Sequence, residues 1–218
     1  MIREIELKYK FDNKQDYLSV LNALEGEHRI EMQVNSLFDT PDLKLKAQHI
    51  FLRVRQSDEN LIFTCKAKPE NIDKPSEMLS IHDEWERPIN LNEAQNPVNL
   101  LAKDWPGESD NSKQTRLSLL RRVTQIIGHE TPKLVGSFKN TRTHVPYQIG
   151  EHVLDFEFDQ TDFGSRIDYE LEVELPEDLS PQLAQDEINK LFKKLNINTS
   201  PSSGKAERLF NLHKTLGS

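Results

Sequence analysis

Residues 4–10 read Glu4-Ile5-Glu6-Leu7-Lys8-Tyr9-Lys10, and charged and apolar side chains alternate at every step. Successive side chains of a β-strand point to opposite faces, so this stretch predicts a strand with one charged and one apolar face. The same alternation recurs over residues 51–55, 61–68, 84–86, 153–159 and 169–174, and more weakly over residues 133–144. The pattern therefore predicts a mainly β protein with six clear strands and a weaker seventh.

Helical spacing occurs only between these strands, where three apolar stripes recur every three or four residues. Their members are Tyr17, Leu18, Leu21 and Leu24; Leu117, Leu120, Val123 and Ile127; and Leu183, Ile188, Leu191, Phe192 and Leu195. The third helix is expected to begin with Ser180 as N-cap and Pro181 at its first position. A last short helix is expected after Gly204, and residues 68–80 and 90–111 are predicted to be loops.

Length and charge limit the possible partners. The chain has 218 residues, which suits a single barrel domain over residues 1–218. Its net charge of -8 provides no general attraction for nucleic acid, so an anionic small molecule would have to meet a local basic cluster. The single cysteine, Cys65, and the absence of an apolar leader favour a cytoplasmic protein without membrane contact, and we expect a monomer.

The charges are grouped by strand, which a simple solvated sheet face does not require. The groups are Glu4 with Glu6, Arg53 with Arg55, Lys66 with Lys68, Glu84 with Glu86, Glu157 with Asp159, and Glu170 with Glu172. Like charges repel on an open surface, but a closed barrel with a wet interior needs both signs if it holds a polyanion together with metal ions. Arginine and lysine bind phosphate oxygens, and carboxylates bind Mg²⁺ or Mn²⁺. The sequence therefore predicts a barrel whose interior binds a triphosphate and a divalent metal.

Several motifs follow one another in order along nearly the whole chain. Residues 4–8 (EIELK) match an ExExK signature, residues 38–42 (FDTPD) and 51–55 (FLRVR) match an FDTP turn and an LRxR strand, and residues 65–69 (CKAKP) match an LKAKP strand. Residues 137–142 (SFKNTR), 157–172 with its acidic pairs, and 203–205 (SGK) complete the series. In these motifs the chain resembles the CYTH, or triphosphate tunnel metalloenzyme, superfamily, most closely its thiamine triphosphatase-like and short tripolyphosphatase-like members.

The resemblance implies an α+β, mainly β fold: an eight-stranded antiparallel β-barrel, or tunnel, with flanking helices. It implies Mg²⁺ or Mn²⁺ as cofactor, held by Glu4, Glu6, Glu157, Asp159, Glu170 and Glu172. It implies triphosphate binding by Lys8, Arg53, Arg55, Lys66, Lys68, Arg142 and Lys205, with Glu4, Glu6 and Lys8 as the catalytic set. For Lys68, Glu84, Glu86 and Asp159, direct contact with the ligands and simple lining of the tunnel are both open.

The implied activity is hydrolysis of the terminal phosphate of inorganic tripolyphosphate or thiamine triphosphate. Two alternatives are an adenylate cyclase of the same superfamily and a polyphosphate-binding module without turnover. We expect tripolyphosphate to be turned over at least as well as ATP, because no cluster of aromatic or amide side chains is apparent that would hold a base. Trp85 and Trp105 are expected to be packing residues, although Trp85 or a nearby phenylalanine could also hold a thiazolium ring at the tunnel mouth.

Overall fold

The structure is a computed structural model that describes residues 3–58, 60–69, 76–95 and 97–216. The strands are β1 (Arg3–Phe11), β2 (Arg29–Asp39), β3 (Ile50–Ser57), β4 (Asn60–Ala67), β5 (Leu79–Ile89), β6 (Lys133–Ile149), β7 (His152–Asp162), β8 (Ile167–Glu174) and β9 (Thr199–Pro201). The helices are α1 (Lys14–Ala23), α2 (Lys44–Ala47), α3 (Pro97–Ala102), α4 (Asp110–Ile127), α5 (Pro181–Leu195) and α6 (Lys205–Leu216).

The strands form one antiparallel sheet that closes into a barrel. Its order is β5-β4-β3-β2-β6-β7-β8-β1, and β5 pairs again with β1, so that the first and last strands meet. Closure depends on β1, which pairs with β5 at Ile5–Ile81 and with β8 at Tyr9–Leu171. The short β9 extends the far end of β1 through residues Thr199–Pro201. The expected eight-stranded antiparallel barrel is therefore confirmed, with one extra strand.

The apolar faces of most strands point outward and are covered by helices, whereas the outer face of β2 is exposed at Ile30 and Met32. On one side Tyr9, Phe11 and Phe158 belong to a buried cluster with Phe192 of α5. On the other side β3, β4 and β5 pack under α3 and α4 in a second cluster, which contains Trp85 and the buried Cys65. Because the outward faces supply these cores, the opposite faces, which carry the charges, line the barrel interior.

The helical stripes are confirmed in position, but two of their residues were assigned to the wrong face. Leu117 is 45% exposed and Leu183 is 46% exposed, although both were expected to be buried. In α4 the buried face instead uses Arg116 and Leu119, because the helix packs around an internal ion pair that the apolar spacing could not reveal. Helix α5 begins as predicted, with Ser180 at the N-cap and Pro181 following it.

The loop predictions were less accurate. The predicted loop at residues 68–80 lies partly outside the described residues, and β5 already begins at Leu79. Residues 90–111 are not a simple loop, because they contain a 3-10 turn at Glu93–Gln95, helix α3 and the start of α4. Trp105 anchors this region by donating a hydrogen bond from Nε1 to the Leu100 carbonyl at 3.1 Å. Within the described part of the chain, no helix has the length and apolar character needed to cross a membrane.

Candidate active site

The barrel encloses a cavity of about 240 Å³ whose wall carries charges of both signs. The charged side chains that line it are Glu4, Glu6, Lys8, Arg53, Arg55, Lys66, Glu84, Glu86, Arg142, Glu157, Glu172, Glu174 and Lys205. All eight barrel strands contribute side chains to this wall, and seven of them, all except β2, contribute charged ones. The like-charged pairs that the sequence places on separate strands therefore surround one cavity with acidic and basic groups.

The acidic pair of β1 is held by two lysines. Lys8 Nζ lies 2.9 Å from Glu6 Oε1 and 2.6 Å from Glu172 Oε1. Lys66 Nζ lies 3.1 Å from Glu6 Oε1, 3.3 Å from Glu84 Oε2, and in contact with Glu4. Burial alone would lower the pKa of Lys66, but these carboxylates hold it well above its ordinary value. Both lysines therefore stay charged inside the barrel.

The arginine pair of β3 differs from the lysines, because few carboxylates lie close to its guanidinium groups. Arg53 donates from Nη2 to the hydroxyl of Thr64 at 3.2 Å. Arg55 has a long ion pair, 3.8 Å, with Glu86, and its buried Nε has no hydrogen-bond partner among the described residues. Burial, followed by repulsion from Arg53, lowers the pKa of Arg55. Two guanidinium groups thus face the cavity with donors available to an anion.

The opposite wall centres on Arg142 of β6. Its Nη2 lies 2.6 Å from Asp159 Oδ2 and 2.8 Å from Glu172 Oε2, and its Nη1 contacts Glu157. Burial is the main cause that raises the pKa of Glu157 to about 7; Arg142 opposes the rise, and the nearby Asp159 and Glu172 add to it. Of the carboxylates on this wall, Glu157 is therefore the one that a second cation would relieve most.

Asp159 and Glu170, which the resemblance placed among the metal ligands, lie behind the cavity wall and are fully buried. Lys205, at the start of α6, reaches Asp159 Oδ2 at 2.7 Å and Glu172 Oε1 at 2.9 Å, and it also contacts Glu170. Arg208, one turn later, binds Glu170 Oε2 at 2.7 Å. These two carboxylates therefore hold the cationic side of α6 against the barrel and present Lys205 to the cavity.

Three groups among the described residues have ligand atoms close enough together for one metal ion. They are Glu4, Glu6 and His82; His144, Asp155 and Glu157; and Asp159, Glu170 and Glu172. The first faces the cavity, and carboxylate oxygens suit hard divalent ions, so its chemistry fits the expected cofactor. The third is already neutralised by Lys205, Arg142 and Arg208, which makes it a poorer site in this arrangement.

Two placements correct the sequence-based expectations. Lys68 follows β4 and lines a neighbouring cavity of about 280 Å³, while Lys66 lines the central one. Trp85 is 1% exposed and faces outward, with Nε1 donating to Glu108 Oε1 at 2.8 Å, so it cannot hold a thiazolium ring in the tunnel. The interpretation of Trp85 as a packing residue is confirmed, and it stacks obliquely on Trp105 at 5.9 Å.

The cavity also contains groups that the sequence did not suggest. Phe51 and Phe138 form an apolar end to it with Leu37, where a small core lies beneath α6. The amides of Gln33, Asn35 and Asn140 line it as well, so the cavity does contain amide and aromatic side chains, although the sequence showed no cluster of them that would hold a base. The alternation of Gln33 and Asn35 with Met32 and Val34 would have revealed strand β2 if that segment had been examined for period two.

His82 is a further residue of the wall that the sequence did not identify. It lies opposite Glu4 in the β1–β5 register, and burial together with Lys66, Lys8 and Lys68 lowers its pKa to about 2. The imidazole is therefore neutral. A lone histidine between Ile81 and Asp83 carries no motif, so only the strand pairing could have placed it here.

Comparison with known proteins agrees with this geometry. The CYTH domain profile matches residues 2–203, and the chain therefore belongs to the CYTH domain family. No curated protein matches the sequence.

Solved structures extend the comparison to the fold. A Hippeastrum protein named for adenylyl cyclase, and described as having a dominant triphosphatase activity, is 24% identical with a TM-score of 0.73 over 96% of each chain. A Bacillus halodurans protein named as an adenylate cyclase is 23% identical, with a TM-score of 0.63 over 96% of this chain and 100% of that one. A Pyrococcus horikoshii protein is 17% identical, with a TM-score of 0.54 over 94% and 98% of the two chains. At these identities the similarity shows a shared fold.

Proposed function

We propose that this chain is a metal-dependent triphosphatase that removes the terminal phosphate of a triphosphate such as inorganic tripolyphosphate or thiamine triphosphate. The observation that carries the proposal is the arginine pair of β3. Arg53 and Arg55 face an enclosed cavity, and the Arg55 Nε is buried without a hydrogen-bond partner. A buried cation that lacks a close counter-ion is costly, and an anionic ligand would supply the missing partner.

The basic groups are suited to a chain of phosphates rather than to a single one. The two guanidinium groups can each bind two phosphate oxygens, while Lys8, Lys66 and Lys205 offer compact charges on other parts of the wall. In the structure each of these lysines contacts carboxylates within 3.1 Å. When triphosphate enters, the ammonium groups can turn toward it, because their stems are flexible.

The carboxylates are suited to divalent cations that accompany the triphosphate. Glu4 and Glu6 lie on one wall, and Glu157 and Glu172 lie on another. Once the ammonium groups move to phosphate oxygens, these acids lose their partners, and a divalent ion is the natural replacement. A metal bound here would neutralise the charge that develops on the transferred phosphoryl group.

The protein's own residues then have positional roles. Hydrolysis forms a bond from a water oxygen to the terminal phosphorus and breaks the phosphoanhydride bond, releasing phosphate and a diphosphate. Arg53 and Arg55 hold the phosphate oxygens in line for this attack, and Glu4 and Glu6 accept hydrogen bonds from water on the β1 wall. The dominant triphosphatase activity of the Hippeastrum protein supports this assignment, since that chain shares the fold over nearly its whole length.

A cyclase is the second candidate, favoured by one observation. The apolar end of the cavity, at Phe51 and Phe138, and the nearby amides could contact an organic group. Cyclisation would keep the nucleoside and release pyrophosphate, whereas hydrolysis releases orthophosphate, so the products separate the two functions.

The test is a panel of tripolyphosphate, thiamine triphosphate and ATP, each with Mg²⁺, Mn²⁺ or EDTA. We expect orthophosphate release that requires a divalent ion and is lost in Arg55→Met. Cyclic AMP and pyrophosphate as the main products from ATP would establish the cyclase instead. Metal-independent binding of all three compounds without any product would establish a binding module.

A further inference from the structure

His82 stands beside the acidic pair of β1, and the proposed mechanism gives it no role. In the β1–β5 register, Glu4 pairs directly with His82, and Glu6 pairs with Ser80. Directly opposed residues of an antiparallel pair place their side chains on the same face, here the cavity face. His82 is therefore built into the wall by the strand pairing that closes the barrel.

The distances are those of ligands that share an ion. His82 Nδ1 lies 3.9 Å from Glu4 Oε2 and 3.9 Å from Glu6 Oε1. Two ligand atoms that are each about 2.1 Å from one divalent ion lie about 3.0 Å apart when adjacent and about 4.2 Å apart when opposite. One ion could therefore bind all three side chains with only small rotations.

The two carboxylate oxygens are held by lysines: Lys66 Nζ contacts Glu4 Oε2 and lies 3.1 Å from Glu6 Oε1, and Lys8 Nζ lies 2.9 Å from Glu6 Oε1. An ion therefore binds here when these ammonium groups turn toward triphosphate, and the remaining contact of the histidine is weaker. Ser80 Oγ lies 3.3 Å from His82 Nδ1, which is long for a hydrogen bond that involves a hydroxyl. The adjacent Glu84 Oε2 is buried and forms no hydrogen bond, although Lys66 Nζ lies 3.3 Å away. This carboxylate oxygen is thus available to accept a hydrogen bond from a water on the ion.

We infer that His82 is a third protein ligand of the divalent ion held by Glu4 and Glu6. This inference rests on the proposed function, since it concerns an ion that the triphosphatase would use. Mg²⁺ prefers oxygen ligands, whereas imidazole binds first-row transition metals more tightly. The β1 position is therefore a mixed nitrogen and oxygen site that takes Mn²⁺ or Co²⁺ in preference to Mg²⁺.

Pulsed electron paramagnetic resonance of Mn²⁺ bound to the full chain, with and without a methylene-bridged triphosphate analogue that cannot be hydrolysed, tests the inference. A directly bound imidazole nitrogen gives a modulation that oxygen ligands do not give. We expect this nitrogen signal in the wild type, its loss in His82→Gln, and its retention in His28→Gln, a matched control at an exposed histidine. Wild-type protein labelled with ¹⁵N-histidine should show the corresponding isotope change, so the test does not depend on the variant folding.

Affinity gives the second measurement. In a Mn²⁺ titration with Mg²⁺ as competitor, His82→Gln should weaken Mn²⁺ about tenfold and change Mg²⁺ less than about twofold. The inference is wrong if bound Mn²⁺ shows no nitrogen signal in the wild type, if the signal persists in His82→Gln, or if Mn²⁺ does not bind even with the triphosphate analogue present. Mn²⁺ held by oxygen alone, together with metal-dependent phosphate release, would leave the proposed function intact. A nitrogen signal without turnover of any triphosphate would instead refute the function and keep the site.

Discussion

Replacing Arg55 with methionine should separate stability from function. Most buried arginines form an ion pair, so removing the guanidinium leaves a buried carboxylate without a counter-ion. Arg55 instead has one long ion pair, 3.8 Å to Glu86, and repulsion from Arg53. Its removal relieves a like-charge contact and leaves no close carboxylate alone. The melting temperature of the ligand-free variant should therefore lie between no change and a rise of about 4 °C.

Arg116 is the matched control. It is 1% exposed, and its Nε and Nη2 donate to the Glu108 carboxylate at 3.1 and 2.9 Å. Breaking a buried pair of this kind costs about 3–5 kcal/mol, which for a chain of this length lowers the melting temperature by about 6–20 °C. Two arginine-to-methionine changes inside the same protein should thus have opposite effects on stability.

For tripolyphosphate binding the two variants should rank the other way: Arg55→Met should lose affinity, whereas Arg116→Met should not. Hydrogen bonds to charged groups contribute about 1.5–3 kcal/mol each, so Arg55→Met should weaken tripolyphosphate about 10- to 150-fold. Calorimetric titration in EDTA, where turnover should stop, measures this directly, and thermal melts of the same samples give the stability. The reasoning is refuted if Arg55→Met melts as early as Arg116→Met, or if it binds tripolyphosphate with wild-type affinity.

Further expectations concern the lysines, the acids and the thiol. Lys66→Met should lower kcat/KM for tripolyphosphate at least tenfold, whereas Lys68→Met, in the neighbouring cavity, should change it less than about threefold. Equal effects of the two changes would contradict the placement of the substrate in the central cavity. Glu6→Gln should reduce metal-dependent phosphate release at least about 100-fold while the circular dichroism spectrum stays that of the wild type. Wild-type activity would show that β1 does not contribute to the active site. Burial raises the pKa of the Cys65 thiol, so a thiol reagent at pH 8 should label it only after denaturation, and rapid native labelling would contradict its packing.

The sequence predicts the barrel because the alternation of apolar and charged residues matches the outer and inner faces of most strands. Apolar residues at every second position had to face a buried core outside the barrel, and they do so at Tyr9 and Phe158 in one cluster and at Phe63 in the other. Strand β2 was missed because its pattern is inverted: the polar Gln33 and Asn35 are buried toward the interior, while Ile30 and Met32 lie on its outer face with exposures of 67% and 71%. Its place in the sheet is fixed by pairing with β3 and β6, which no local pattern encodes.

Site residues could be predicted where a charged side chain lies on the inward face of a strand. They could not be predicted where burial under another element decides whether the side chain reaches the cavity. Asp159 and Glu157 occupy the same face of β7, yet Asp159 is fully buried under Lys205 while Glu157 lines the cavity. The difference arises from α6, which covers one end of the barrel and brings its cations to the nearer acid. A strand pattern cannot contain that information, because the covering helix is distant in sequence.

The distribution of partners within the cavity indicates an order of events. Lys8 and Lys66 are bound to carboxylates within 3.1 Å, so each must exchange an acid for a phosphate oxygen when triphosphate enters. Arg53 and Arg55 need no such exchange, because among the described residues Arg53 donates to the Thr64 hydroxyl and the ion pair of Arg55 with Glu86 is 3.8 Å long. The arginine pair is therefore the first contact for an incoming anion, and the lysines follow. As the lysines leave, Glu4 and Glu6 lose their counter-ions and their affinity for a divalent cation rises. Triphosphate and metal should consequently bind with positive coupling, and each should tighten the other by the same factor.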